Sequence, residues 1–214
     1  MRAEGEIMKK ISSALLAALL LLATVFTGAP TAMAAGVSVN ATTVTVYFLN
    51  QEFQEKISQP AAYPASFQLK VTGADKAAYR VTAGESATVS STGLVEPLCT
   101  RYYWYGNVGS TAPTPGKTPD RVTESYTAGD STVQVTAGGK TFRVTVHVQS
   151  YAQVYVDSVM QDYIAKNLPA NPTDYNKAET AAKFAAQYEY SANYSSYLSM
   201  VILGGGDCWA STGA

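Results

Sequence analysis

Apolar and polar residues alternate along much of the first two thirds of this chain. Val37 and Val39, then Val44, Val46 and Phe48, are separated by Ser, Asn, Thr and Tyr, the period of two that a half-buried strand requires. Phe67/Leu69/Val71, Tyr79/Val81 and Ala87/Val89 repeat the pattern. Val133/Val135 and Phe142/Val144/Val146/Val148 flank Gly138-Gly139, a pair tolerant of positive φ, and so predict a hairpin. About seven short strands with turn residues between them predict an all-β sandwich over residues 36–149.

At Tyr151 the period changes to that of a helix. Ala152, Val156, Val159, Met160 and Tyr163 form one face, and Leu168-Pro169 closes the run. A second helix follows a cap at Thr173 or Asp174, with a predicted buried stripe of Ala178, Ala181, Ala182, Ala185 and Tyr188 beside Phe184. A third, short helix offers Tyr194, Tyr197, Leu198 and Val201 and runs into Gly204. Residues 150–214 are few for a domain of their own, and three amphipathic faces with no sheet to cover read as part of a larger core. The expectation is therefore a multidomain chain that ends within its second domain, as a fragment or shortened product of a longer protein.

One stretch breaks the strand rhythm. Residues 97–128 hold Tyr102-Tyr103-Trp104-Tyr105 followed by Gly106, Gly109, Pro113, Pro115, Gly116 and Pro119, which predicts a long loop. Its aromatic cluster is a candidate binding patch for carbohydrate or peptide, since Tyr and Trp combine an apolar face with a polar tip. The competing reading has these rings seal one end of the sandwich or pack on the next domain, where aromatic side chains normally finish.

Residues 1–35 stand apart. Arg2, Lys9 and Lys10 precede an apolar stretch at 11–26 and an Ala32-Met33-Ala34 cleavage pattern, the three parts of a secretory signal peptide. Met8 offers an alternative start to the same signal. A retained N-terminal membrane helix is the weaker alternative, because Gly28 and Pro30 end the core before a small-residue site. No later run approaches the ~18 apolar residues that span a membrane. The expected location is thus secreted, extracellular or at a cell surface.

Composition changes this picture little. A net charge of −1 and 14% charged residues give no footprint for nucleic acid. Fifteen tyrosines suit extracellular contact, and equally suit β-sheets. Cys99 and Cys208 are the two cysteines; a disulfide between them is compatible with an oxidising compartment, although two cysteines do not make a disulfide-stapled scaffold.

The chemistry-bearing feature is Gly204-Gly205-Gly206-Asp207-Cys208-Trp209. Asp207 is a candidate N-cap that leaves Cys208 in the first turn of a helix, where free N–H groups favour a thiolate. Trp209 would shield it. A buried structural cysteine after a flexible loop is the alternative. A thiolate nucleophile needs an imidazole, and the one histidine, His147, falls on the polar face of a predicted strand with Thr145 and Gln149, which reads as an exposed bystander. Scattered carboxylates give no paired-acid or metal spacing, and the glycine run lacks the strand and the lysine of a phosphate loop. No cofactor and no metal are implied.

The helix at Thr173, with Lys177 and Ala178, the Tyr188-Glu189-Tyr190 ending and Gly206-Asp207-Cys208-Trp209-Ala210 together resemble the opening of a transglutaminase-like domain, a branch of the papain-like cysteine enzymes. That resemblance implies Cys208 as nucleophile, supported by Gly206, Asp207 and Trp209, with histidine and aspartate partners on a later sheet that this sequence lacks. It also implies a fold class in which the sandwich is followed by the helical N-terminal part of an α+β domain. Ala87-Thr88-Val89-Ser90-Ser91-Thr92-Gly93-Leu94-Val95 and Gly129-Asp130-Ser131-Thr132-Val133-Gln134-Val135-Thr136 are similar to bacterial immunoglobulin-like modules of the invasin/intimin group, a type often called BIG2-like.

Two functions follow as expectations. In one, a longer parent acts on amide bonds of a protein or peptide substrate through a Cys208 thioester, by crosslinking or hydrolysis, and this chain alone is inactive. In the other, the chain is a non-enzymatic immunoglobulin-like binding or spacer module that meets a cell-wall or host surface component, with Tyr102, Tyr103, Trp104 and Tyr105 as the contact.

Overall fold

The computed structural model describes residues 36–212; the expected signal peptide lies outside them. The alternating runs form strands as their period requires. β1 (Ser38–Val39) and β2 (Thr43–Phe48) come first, and a 3-10 turn (Gln51–Phe53) follows β2. Next come β3 (Phe67–Gln68), β4 (Val71–Thr72), β5 (Ala77–Ala83), β6 (Ala87–Val89) and β7 (Leu94–Pro97). β11 (Gly129–Ala137) and β12 (Lys140–Ser150) make the predicted hairpin, with Gly138 and Gly139 at φ of 53° and 75°. Both values belong to the left-handed region that a tight two-residue turn demands.

β2, β12, β11 and β5 form a four-stranded sheet in that order, and β3, β7 and β6 form a three-stranded one. The two face each other across a single apolar core. Val44, Val46 and Phe48 of β2 meet Val133 and Val135 of β11, Val144, Val146 and Val148 of β12, and Leu69, Ala87 and Val95 from the other side. The period-two residues singled out in the sequence are the ones buried here, because successive side chains of a strand point to opposite faces. Ser131 in β11 joins the two layers: its Oγ accepts from the backbone N–H groups of Ser86 and Ala87 at 3.2 and 3.1 Å.

β2, the edge strand of its sheet, runs parallel to β12, with Thr45 opposite His147 and Phe48 opposite Ser150. Both strands therefore leave the sheet at the same end. β12 turns directly into α1 (Tyr151–Asn167), where Ser150 Oγ accepts from Gln153 N–H as N-cap. β2 enters the loop of residues 49–65, closed by Tyr47 N–H donating to Pro64 O at 2.8 Å and by Gln59 Nε2 donating to Tyr63 O at 2.6 Å. Phe53, 2% exposed, fastens this loop to Ala152 and Val156 of α1 and to Ile202.

The predicted face of α1 is the one that packs: Ala152 and Val156 are buried, and Val159, Met160 and Tyr163 half-buried. α2 (Asp174–Ala185) begins at a capping box between Thr173 and Asn176. Its predicted stripe holds in part: Phe184 is buried, and Ala185 and Tyr188 are half-buried, but the other alanines face out. Ala178, Ala181 and Ala182 are exposed, and Thr180 points inward with Phe184. Phe184 lies 5.0 Å from Tyr163 and 5.4 Å from Tyr188 by ring centroids, and burying one aromatic ring outweighs burying several methyl groups. α3 (Tyr197–Leu203) and a five-residue helical turn, α4 (Cys208–Thr212), complete the described chain.

The fold class is corrected at this point. The described residues are mostly β in several small sheets and 24% helical, and no helical N-terminal part of a transglutaminase-like fold is formed among them. The physical reason is where the helices find their partners. α1 is capped on and packed against the end of the sandwich, through Phe53. The expected loop at residues 97–128 is also replaced. β8 (Cys99–Tyr105), β9 (Val108–Ser110) and β10 (Arg121–Tyr126) form an antiparallel sheet in the order β10-β8-β9. Gly106, Pro113, Pro115, Gly116 and Pro119 fall in the connections, Gly109 lies within β9, and the aromatic run is itself a strand. Among the described residues no helix is long and apolar enough to cross a membrane.

Phe53 should therefore couple the two halves of the structure. Phe53→Ala is expected to cost about 3–5 kcal/mol in urea denaturation. It should loosen amide exchange in α1 and α3 before it affects β11 and β12.

Candidate functional site

Two places carry chemistry: the Cys208 element foreseen in the sequence, and a groove that was not.

At the first, the glycines have structural reasons. Gly204 ends α3 in the left-handed region at φ 87°. Gly205 and Gly206 pair in parallel with Glu189 and Tyr190, as the short strands β14 (Gly205–Gly206) and β13 (Glu189–Tyr190). A Cβ on Gly206 would sit 2.6 Å from Ala210 Cβ and 3.0 Å from Met200 Cβ, so only glycine lets α3 and α4 approach this closely. Asp207 caps α4 as predicted: Oδ1 accepts from Ala210 N–H at 3.0 Å, and Oδ2 accepts from Ser195 Oγ at 2.7 Å. Cys208 opens α4 with an exposed side chain, and Trp209 follows it.

Among the described residues the one histidine does not reach this thiol through a hydrogen bond. His147 sits on β12 opposite Asp130, with Nδ1 2.6 Å from Asp130 Oδ1. Cys99 and Cys208 are both free thiols, so the compatible disulfide is not formed.

The aromatic run is divided by the pleat of β8. Tyr102 and Trp104 point to one side, Tyr103 and Tyr105 to the other. Tyr102 is 37% exposed. Trp104 Nε1 donates to Thr123 Oγ1 at 2.8 Å, and the Arg121 guanidinium lies 4.6 Å from its ring centroid, within cation–π range. Tyr105 accepts from Thr114 N–H at 2.8 Å. The four rings thus do not make one contact patch.

The other face of the β8/β10 pair makes something larger. Register sets Cys99 opposite Tyr126, Arg101 opposite Glu124 and Tyr103 opposite Val122, and all six side chains line cavities between this sheet and the loop of residues 49–65. The first cavity, about 870 Å³, runs from Tyr47 and Tyr63 past Cys99 to Gln54 and Arg101. A second, about 400 Å³, shares Gln54 and Arg101 and reaches Gln51 and Glu124. A third, about 280 Å³, shares Gln51 and Glu124 and ends at Asn50, Glu52 and Thr123. The shared residues make the three into one elongated groove.

Its polar groups are held in place. Glu124 accepts from Arg101 Nε at 3.1 Å through one oxygen and from the Tyr126 hydroxyl at 3.0 Å through the other. Tyr126 stacks on Phe48 at 5.1 Å, tying the sheet to the end of β2. Burial, then hydrogen bonding with Cys99 and Glu124, push the Tyr126 hydroxyl above the ordinary tyrosine value. The Glu124 carboxylate in turn favours the charged form of Arg101. At the far end, the Asn50 side-chain oxygen is buried with no hydrogen-bond partner among the described residues. An acceptor in that state costs about 1–3 kcal/mol until a donor reaches it.

The sequence does not announce this groove, because residues 49–65 show no periodicity and the glycines and prolines after Tyr105 mask the β8 strand. The available signals are Phe53 and Ile57 four residues apart, with the polar Gln51, Gln54 and Gln59 interspersed around them.

A raised tyrosine hydroxyl has a definite sign for stability. In the unfolded chain Tyr126 ionises near pH 10, whereas the folded chain holds its proton longer, so the stabilisation is complete below pH 10 and is lost as pH rises further. Thermal melts from about pH 8 to 11 should show a fall in Tm that Tyr126→Phe makes shallower. An identical fall in both proteins would remove Tyr126 from this role.

No protein-family model matches the chain, and no curated protein matches it.

Proposed function

We propose that this chain is an extracellular binding module, secreted or held at a cell surface, that recognises a partner in the groove between residues 49–65 and the β8/β10 sheet. The observation that carries this reading is the continuity of the three cavities through Gln54, Arg101, Gln51 and Glu124. A site of this extent lined by aromatic rings, with a few oriented polar groups, is the form that ligand sites commonly take. The extracellular location rests on the leader pattern of residues 1–35. Binding fits the groove better than catalysis through Glu124, because that carboxylate is engaged by Arg101 and Tyr126.

The test uses intact bacterial cells and purified cell-wall sacculi with the labelled full chain. Saturable binding should weaken about tenfold in the variant Gln54→Trp/Tyr103→Ala, which alters both sides of the groove. It should be unchanged by Thr141→Ala, an exposed change at the hairpin end of β12. Binding that ignores the groove variant would sink the proposal.

A second reading, acyl transfer through a Cys208 thioester, keeps one observation in its favour: the thiol is exposed at the start of a helical turn whose cap is Asp207. It needs a base from elsewhere. Alkylation with iodoacetamide near pH 6, resolved between Cys99 and Cys208 by peptide mass spectrometry, should run about tenfold faster at Cys208 than in a free peptide thiol if the thiolate is favoured there. Equal rates would end this reading.

A further inference from the structure

Resting on the binding reading of the groove, we propose that its occupant is an extended peptide carrying basic side chains, added as a further strand along the free edge of β10.

β10 is the outer strand of its sheet, and its backbone pairs with β8 alone. Among the described residues no other backbone hydrogen bond reaches residues 121–126. Every second one of its six residues therefore turns its N–H and C=O away from β8, unpaired along that side. Edges of this kind are usually blunted by proline, charged side chains or a bulge. β10 has no proline and pairs regularly with β8; its two charges are engaged within its own sheet, Arg121 over Trp104 and Glu124 by Arg101, and Val122 is 40% exposed. Strand addition uses such an edge: main-chain bonds give affinity, and pockets for alternate side chains give specificity.

The pleat places those pockets. Val122, Glu124 and Tyr126 face the groove, so every second side chain of a strand added beside them enters the groove as well. Charge then selects among peptides. The charged side chains of the three cavities are Glu52, Glu96 and Glu124 against Arg101. Arg101 is matched by Glu124, which leaves Glu52 and Glu96 exposed to meet a cation. Asn50, with its unpartnered oxygen, lines the cavity at the Glu52 end, where a peptide offers N–H donors.

A polysaccharide is the less suitable occupant. Sugars stack on open aromatic faces, and here Tyr126 already stacks on Phe48 while Tyr63 packs against both Tyr47 and Tyr151 at 5.1 Å.

The experiment titrates acetylated, amidated octapeptides into the isotope-labelled full chain, with amide shifts read by NMR. The peptides alternate threonine with lysine, with serine or with glutamate. The lysine series should bind about tenfold tighter than the glutamate series, with the largest shifts in residues 121–126. N-methylation of every second peptide nitrogen, on one of the two alternating sets, should abolish binding. Glu52→Lys, an exposed change on the 3-10 turn, should narrow or reverse the preference. Failure of all three series to bind, shifts confined to other elements, or indifference to both N-methylation patterns would overturn strand addition. If the peptides fail while capture of cells still depends on Gln54 and Tyr103, the peptide proposal falls and the binding module stands. If neither depends on the groove, both fall.

Discussion

Because β2 runs parallel to β12, with Phe48 opposite Ser150, the two strands are delivered to the same end of the four-stranded sheet. Everything outside the sandwich is arranged by that pairing. One exit becomes α1, started by the Ser150 cap; the other becomes the loop of residues 49–65. Neither could bury its apolar residues alone. Placed side by side, they share Phe53, Ala152, Val156 and Ile202 as a second core. The hydrophobic contribution of one phenylalanine therefore has consequences for two segments about a hundred residues apart in sequence.

The same constraint builds the groove. The loop is fixed on one side by Phe53 and closed by Gln59, which donates to the carbonyls of Tyr47 and Tyr63. Phe48, at the last position of β2, stacks on Tyr126 and brings the β8/β10 sheet opposite the loop. The gap between them is not filled, and polar side chains line it: Gln51, Gln54, Arg101 and Glu124. A gap of this sort persists when its walls are each anchored elsewhere. Here one wall is held by the second core and the other by the register of a β pair.

The Cys208 element shows how one sequence can support two accounts. Its glycines have the freedom expected of a loop that presents a nucleophile, and they also satisfy a packing demand, since Ala210 and Met200 leave no room for a Cβ on Gly206. The cap by Asp207 is local and was legible from the residues alone. The activating partner is not local. His147 is committed to Asp130 on the face of the sheet, which a strand position alone would allow but not determine.

Local periodicity determined the strands of the sandwich, the glycine turn between β11 and β12, the buried face of α1 and the caps at Thr173 and Asp207. Each of these is settled by residues within a few positions of one another, through the pleat, the helical repeat or a single side-chain-to-backbone bond. Tertiary structure decided the rest. It turned Ala178, Ala181 and Ala182 of α2 outward because Phe184 had an aromatic partner in Tyr163. It made a strand of Cys99–Tyr105 by supplying β10, and it divided the aromatic run between two faces. It made a groove from a segment with no pattern of its own. Strand pairing and ring packing join residues far apart in the chain, so their outcome depends on which partner is present, and no window of sequence contains both partners.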